Sequence, residues 1–355
     1  MKRDSLMDFK LLFFAASVVF FLPPQAARAE INARTADTLS ITIENDSIVF
    51  GEKDRYYTHG SKLSWISGDI SEYRDIEGIP PWMQRVIAKM PFVNETGEQR
   101  SVSVSLMQSI YTPENKLRTD LIVNDRPYAG LTCLGLGLHS KDQRRMDTLE
   151  MDIGIVGRHS YAEDAQLWIH DLVEFSDVRG WANQLHDEPI VNIHGERKWK
   201  AFKTEIPSGF GLDFIPHAGI ALGNGWTGMN MGGQVRLGWN IPNDFGTHLI
   251  RPGSDSNAPL DDHDPRFFKP RRRLGMHLFF AVNGNYVARN ILLDGNTFRD
   301  SHSVEKKPFV ADFTGGTGII IHRFKLTYSY VYRTKEFETQ QEGQEFGSIS
   351  LSFTF

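Results

Sequence analysis

Three scarcities bound this sequence of 355 residues before any motif is read. It has one cysteine, Cys133, which excludes an intramolecular disulfide and any zinc site built from cysteines, and leaves a thiol redox role without support. It has no basic excess. Its 39 Lys and Arg stand against 44 Asp and Glu, a formal net charge of -5 that argues against nucleic-acid binding driven by counterion release. Past residue 30 it lacks any run near the roughly 18 apolar residues of a spanning helix, so a helical membrane protein is excluded. What is present is 40% hydrophobic content, 31 Gly and 24 Phe, ample for a folded core and unlike a disordered chain.

The N-terminus reads as an export signal. Lys2, Arg3 and Lys10 precede an apolar stretch of twelve residues, Leu11 to Leu22, and Ala27-Arg28-Ala29 gives the small-x-small cleavage pattern. Twelve residues ending in Pro23-Pro24 are too few to span about 30 Å of hydrocarbon as a helix. Residues 1–29 are therefore expected to be removed, taking a net +2 with them and leaving 30–355 as one acidic, exported domain at -7.

Beyond the signal, alternation at period two recurs between clusters of Gly, Asn, Asp and Pro: Leu39–Ile43, Val102–Leu106, Leu149–Ile153, Lys325–Val331 and Ser348–Phe355. A soluble sandwich alternates in the same way. The aromatic load and a last strand ending on Phe355 favour instead an all-β transmembrane antiparallel barrel, with apolar residues and aromatic girdles on its lipid face. A terminal aromatic also resembles the assembly signal of bacterial barrel proteins. The pattern predicts twelve strands, at about 38–47, 57–68, 101–111, 129–139, 147–157, 190–200, 210–222, 231–241, 274–289, 308–322, 324–334 and 345–355. An even number returns both termini to the periplasm, so 48–56, 112–128, 158–189, 223–230, 290–307 and 335–344 are expected to face outward. Segments 69–100 and 242–273 then lie at the periplasmic end, long for a place where turns are usually short. Pro80–Met90 reads as a short amphipathic helix under the barrel.

Polar chemistry gathers in the outward segments. Glu44-Asn45-Asp46 ends the first strand and Asp54-Arg55-Tyr56-Tyr57-Thr58-His59-Gly60 opens the second, so a hairpin brings Asn45, Asp46 and Thr58 together. A carboxylate, an amide oxygen and backbone carbonyls beside Gly60 suit Ca²⁺, which takes six to eight oxygens, although Asn45-Asp46 also reads as ordinary turn chemistry. In the segment after strand five, Ser160 and Glu163 have the spacing of a capping box, and Glu163, Gln166 and His170 then share one helical face. Leu167, Trp168 and Leu172 on the other side suggest a helix clamped to the barrel or dipping into lipid.

Those blocks, with Asn124-Asp125-Arg126-Pro127-Tyr128-Ala129-Gly130, Gly180-Trp181-Ala182-Asn183-Gln184-Leu185, Asn290-x-x-x-Asp294-Gly295-Asn296, Asp300-Ser301 and Glu336-Phe337-x-x-Gln340, resemble the outer-membrane lipid A 3′-O-deacylase family. The resemblance runs in order along almost the whole mature chain. It implies a twelve-stranded barrel that hydrolyses the 3′-linked acyloxyacyl chain of lipid A, with Ca²⁺ held near Asp46, Thr58 and Gly60. It also implies Asn45 at the oxyanion, a His general base and a supporting Glu. Gln166-x-x-x-His170 is the better motif match for the base and Glu163 the nearest carboxylate on its face, while His159 competes from four residues before Glu163. Arg55, Arg126 and Arg158 are candidates for the lipid A phosphates, since guanidinium forks suit phosphate oxygens. A serine hydrolase has little support, because the chain has no G-x-S-x-G elbow. The contrasting reading is a barrel without catalysis, a channel or a structural protein. A channel would need a charged, water-filled lumen, whereas a deacylase would plug its lumen and work on the outer wall.

Overall fold

The computed structural model describes residues 32–49, 55–70, 80–87, 89–90, 99–173, 178–247, 249–269 and 273–355. The expected export signal lies outside them. The barrel strands are β1 (Thr38–Asn45), β2 (Tyr56–Ile66), β3 (Gln99–Thr112), β4 (Ala129–Lys141), β5 (Arg145–Val156), β6 (Glu188–Trp199), β8 (Phe210–Gly223), β9 (Trp226–Trp239), β10 (Leu274–Asn290), β11 (Phe309–Ile321), β12 (Phe324–Arg333) and β13 (Gln344–Thr354). Each pairs antiparallel with its neighbour, β6 pairs directly with β8, and β1 pairs with β13 from Thr38↔Thr354 to Asn45↔Gly347. Twelve strands thus close into a barrel with no free edge, the arrangement that satisfies backbone polar groups in lipid. One departure from expectation is β7 (Phe202–Glu205), a thirteenth strand. It is an exposed four-residue extension that pairs with β8 outside the barrel, because the 200–209 turn folds back as a hairpin.

The alternation read in the sequence sorts the two faces. Ile43, Leu63, Leu106, Leu134, Ile153, Ile193 and Leu237 are exposed on the outer wall. Ser40, Lys62, Ser105, Asp152, Glu196 and Arg236 are buried in the lumen. At the closing seam Ser40 bonds Ser352 at 3.0 Å and Thr42 bonds Ser350 at 2.9 Å, small side chains that leave room inside.

That room is filled by the β9–β10 connection. The 242–269 segment, expected as a long turn, instead folds back into the lumen as a plug. Asn257 donates to both Ser40 and Ser352, Asp255 pairs with Lys62 at 3.0 Å and Arg251 with Glu196 at 2.6 Å. Arg236 reaches Asp213 and Asp244, and Asp244 also takes Lys325 at 2.6 Å. Buried charges persist only when paired in this way, so the lumen wall and the plug each supply what the other lacks.

Among the described residues three short α-helices complete the fold: α1 (Pro81–Ile87), α2 (Ala162–Val173) and α3 (Ile291–Asp294). The first forms where the sequence predicts a helix, but it lies against the barrel's outer wall, with Ile87 packed on Val102 and Leu149. Among the described residues no helix is long and apolar enough to cross a membrane.

Candidate active site

The end of β1 separates two environments within one residue. Glu44 points into the lumen, where it accepts from the Tyr57 hydroxyl at 2.9 Å and from the Ile250 backbone N–H at 2.7 Å. Asn45 is on the outer wall. Cross-strand partners share a face of the sheet, and the partners here run Asn45–His59–Ile110–Gly130 across β1 to β4. This row is the base of the candidate site, roughly 14 Å long at about 4.8 Å per strand.

Each member of the site is held by local chemistry. Asn45 caps the short 46–48 turn: its side-chain oxygen accepts from the Ser47 backbone N–H at 2.7 Å and from the Ser47 hydroxyl. Among the described residues its amide nitrogen makes only a long contact, 3.4 Å, to Nδ1 of His59. Asp46 is buried in that turn and accepts the Arg55 backbone N–H at 2.8 Å. Tyr56 then takes a left-handed conformation, φ 66°, rare for an aromatic residue and a mark of local strain. A bulge between Tyr57 and His59 follows, and the Thr58 hydroxyl lies 2.8 Å from that of Thr112. Gly60 faces the lumen rather than the metal candidates. A Cβ there would meet the Tyr57 hydroxyl at 1.9 Å, so the glycine makes room for the Tyr57–Glu44 bond.

Helix α2 roofs the other end of the row. Its seat is Gly130, where a Cβ would fall 2.1 Å from that of Ala162. Gln108 and Thr132 both donate to the Ser160 carbonyl at 2.8 Å, and Ile110, Tyr128, Ala162, Val178 and Trp181 pack together above the wall. Trp168 is 54% exposed on the far side, which fits a helix between barrel and lipid. The expected capping box does not form. Ser160 sits in a separate short turn and donates to the Gly157 carbonyl, Tyr161 intervenes at φ 57°, and Glu163 accepts from Gln184 at 3.2 Å.

The two candidate bases part company. His159 is 65% exposed and does not pair with Glu163. Its Nδ1 lies 2.5 Å from Asp187, whose other oxygen accepts the His159 backbone N–H at 2.8 Å. Burial raises the Asp187 carboxyl, but these two hydrogen bonds outweigh it and hold the group below its usual range. His170 is on α2, four residues past Gln166, and its side chain lies outside the described residues. Gln166 is buried; its oxygen is fixed by the Trp181 indole at 2.9 Å, and its amide nitrogen finds no partner among the described residues.

The three arginines differ as well. Arg158 is exposed beside His159. Arg55 is held by Glu114 and Glu342. Arg126 is fully buried, paired with Glu336 at 3.1 Å and stacked over Tyr111, away from the rim surface where a phosphate would sit.

Among the described residues no three His, Cys, Asp or Glu side chains converge as a metal cluster. The donors near Asp46 are nonetheless of the kind a hard cation takes. Burial pushes the Asp46 carboxyl up to about 7, despite backbone hydrogen bonds and the nearby Lys116 charge that favour its ionised form. A divalent cation beside it would restore that form. Sequence reasoning missed Lys116, His59 as a neighbour of Asn45, and Asp187. Asp187 lies 28 residues from His159, and no spacing rule joins them.

A cavity of about 210 Å³ lies inside the barrel and is lined by Asp152, His194, Asn230, Arg251, Asn283 and Asp312. Its charges are paired internally, His194 with Asp152 and Arg333 with Asp312.

A family model described as outer membrane protein LpxR matches residues 12–355. A search of curated proteins gives no match. Among solved structures the chain is similar to LpxR from Salmonella typhimurium, at 19% identity and a TM-score of 0.70, over 90% of this chain and 100% of that one. It is less similar to the beta domain of the Bordetella autotransporter BrkA, at 9% identity and a TM-score of 0.42 over 90% of this chain and 100% of that one.

Proposed function

The chain belongs to the LpxR family of outer membrane proteins, the lipid A 3′-O-deacylases, and from that premise we propose that ester hydrolysis runs on its outer wall, with calcium beside Asp46 and a histidine as general base. One observation carries this reading: the lumen is plugged, while Asn45 and His59 stay part-exposed on the outer wall beside the end of the row that α2 covers. A lipid moving sideways in the leaflet reaches that wall without leaving the membrane.

Asp46 and Thr58, with neighbouring backbone carbonyls, would hold Ca²⁺, and the bound ion would polarise the ester carbonyl. Asn45 is preorganised for the developing oxyanion. Ser47 fixes its oxygen, which leaves its N–H donors directed elsewhere at no cost of reorganisation during the reaction. His170, on the same helix as Glu163 and Gln166, would take the proton from the attacking water. Lipid A enters from the outer leaflet, so the rim carrying Asn45 faces the cell exterior. Arg158 is the arginine best exposed to a lipid A phosphate there.

A second reading of the base has its own observation. With Nδ1 of His159 held by Asp187, Nε2 faces away from the pair as an acceptor, the arrangement of a base with its orienting carboxylate. Mass spectrometry of lipid A incubated with the folded protein tests the reaction and its calcium dependence. Loss of the 3′-acyloxyacyl mass in calcium and its retention in chelator is the expected result, and unchanged lipid A in both would overturn the proposal. A steady ion conductance in planar bilayers, without that mass loss, would support the channel reading instead.

A further inference from the structure

Helix α1 carries a second surface, on the same side of the barrel as α2 but at the opposite end. Ile87 is its buried residue, and it rests on Val102 of β3, Leu138 of β4 and Leu149 of β5. These three alternate with lumen-facing Ser101, His139 and Thr148, so they belong to the lipid-facing wall. They also lie at the ends of their strands nearest the chain termini. The helix is therefore attached to the outside of the barrel, level with one edge of the membrane.

Its free face has a definite pattern. Trp82, Arg85 and Val86 follow one another at steps of three and one, which places them on one stripe with Ile87 on the other side, and Lys89 follows in the turn past the helix, its backbone N–H bonded to the Val86 carbonyl at 3.0 Å. All four are exposed, Trp82 by 60% and Val86 by 49%. The helix carries no acidic residue, although the chain as a whole is acidic. Tryptophan at headgroup level and basic side chains beside an apolar strip are what an interfacial helix presents to anionic lipid.

We propose that α1 binds an anionic phospholipid of the leaflet at the terminal end of the barrel. The occupant is a lipid because the surface continues the lipid-facing wall, and anionic because Arg85 and Lys89 stand four residues apart with no acidic neighbour on the helix. The apolar part of the stripe, Trp82 and Val86, packs on the acyl chains below the headgroup. With both termini in the periplasm this is the phospholipid leaflet, so the site is separate from the one that receives lipid A.

The test is native mass spectrometry of the full chain released from detergent micelles that carry equal amounts of phosphatidylglycerol and phosphatidylethanolamine. The wild type should retain phosphatidylglycerol in preference, and Arg85→Gln combined with Lys89→Gln should reduce that retention about thirtyfold, as expected for removing two interfacial cations. Arg85→Lys combined with Lys89→Arg keeps the charges and should keep the lipid, which separates recognition from misfolding. Deacylation by the same samples reads the outer-wall site independently. No headgroup preference in the wild type, or equal retention by the Gln variant, would overturn the proposal.

Discussion

The barrel holds two polar regions that differ in what their side chains are bonded to. In the lumen, Arg236, Asp244, Lys325, Lys62, Asp255, Arg251 and Glu196 pair with one another across wall and plug. On the outer wall, the Asn45 amide nitrogen, the Asp46 carboxylate and the Gln166 amide keep bonding capacity that the described residues do not use up. The paired charges of lumen and plug therefore serve closure, whereas the wall keeps unspent bonding capacity beside Asn45 and Asp46. The contrast also explains why the larger set of charges is the less informative about function.

The strongest way to break this comparison is to remove the base. His170→Ala should lower the deacylation rate by about 10² to 10⁴, while His159→Ala should change it by less than about tenfold. Initial rates from lipid A mass spectra check this, and the reverse order would transfer the role to the His159–Asp187 pair. Asp46→Ala comes next: activity should fall by about 10² and lose its response to calcium, with heat-modifiable migration intact. The lumen should behave oppositely. Arg236→Met strands Asp213 and should cost about 3–5 kcal/mol of stability, read as an earlier loss of heat-modifiable migration, with the rate per folded molecule unchanged.

A smaller effect sharpens the calcium assignment. The raised Asp46 carboxyl binds its proton more tightly in the folded turn than in the unfolded chain. In metal-free protein its contribution to stability is therefore complete below the unfolded value near 4 and is lost as pH rises through about 7. Calcium should accordingly protect the 46–49 backbone amides from hydrogen exchange strongly at pH 8 and little at pH 5. Equal protection at both values would place the ion elsewhere.

How much of this was legible follows from what each feature depends on. The strands were, because a lipid face and a polar lumen impose period two: the run expected at 129–139 is β4 at Ala129–Lys141, and that at 210–222 is β8 at Phe210–Gly223. The plug was not, since Asp244, Arg251 and Asp255 follow no period and are defined only by partners across the lumen. Asn45 and Asp46 were legible as hairpin neighbours of Thr58, yet β2 carries a bulge at Thr58 where it pairs with β3, and Thr58 turns to Thr112. The helix after strand five was expected, but its capping box failed. Ser160 is occupied by Gly157, a competing local bond that spacing alone does not reveal.

The claim on which the rest depends is that lipid A is engaged on the wall beside Asn45 and not in the lumen. A photoreactive residue placed at Ser61 on the outer face of β2, at Asn285 in the lumen cavity and at Leu237 on the far wall tests it directly. After irradiation in membranes containing lipid A, the adduct mass should be strongest at position 61, weaker at 237 from bulk lipid and absent at 285. Labelling strongest at 285, or equal at 61 and 237, would contradict it.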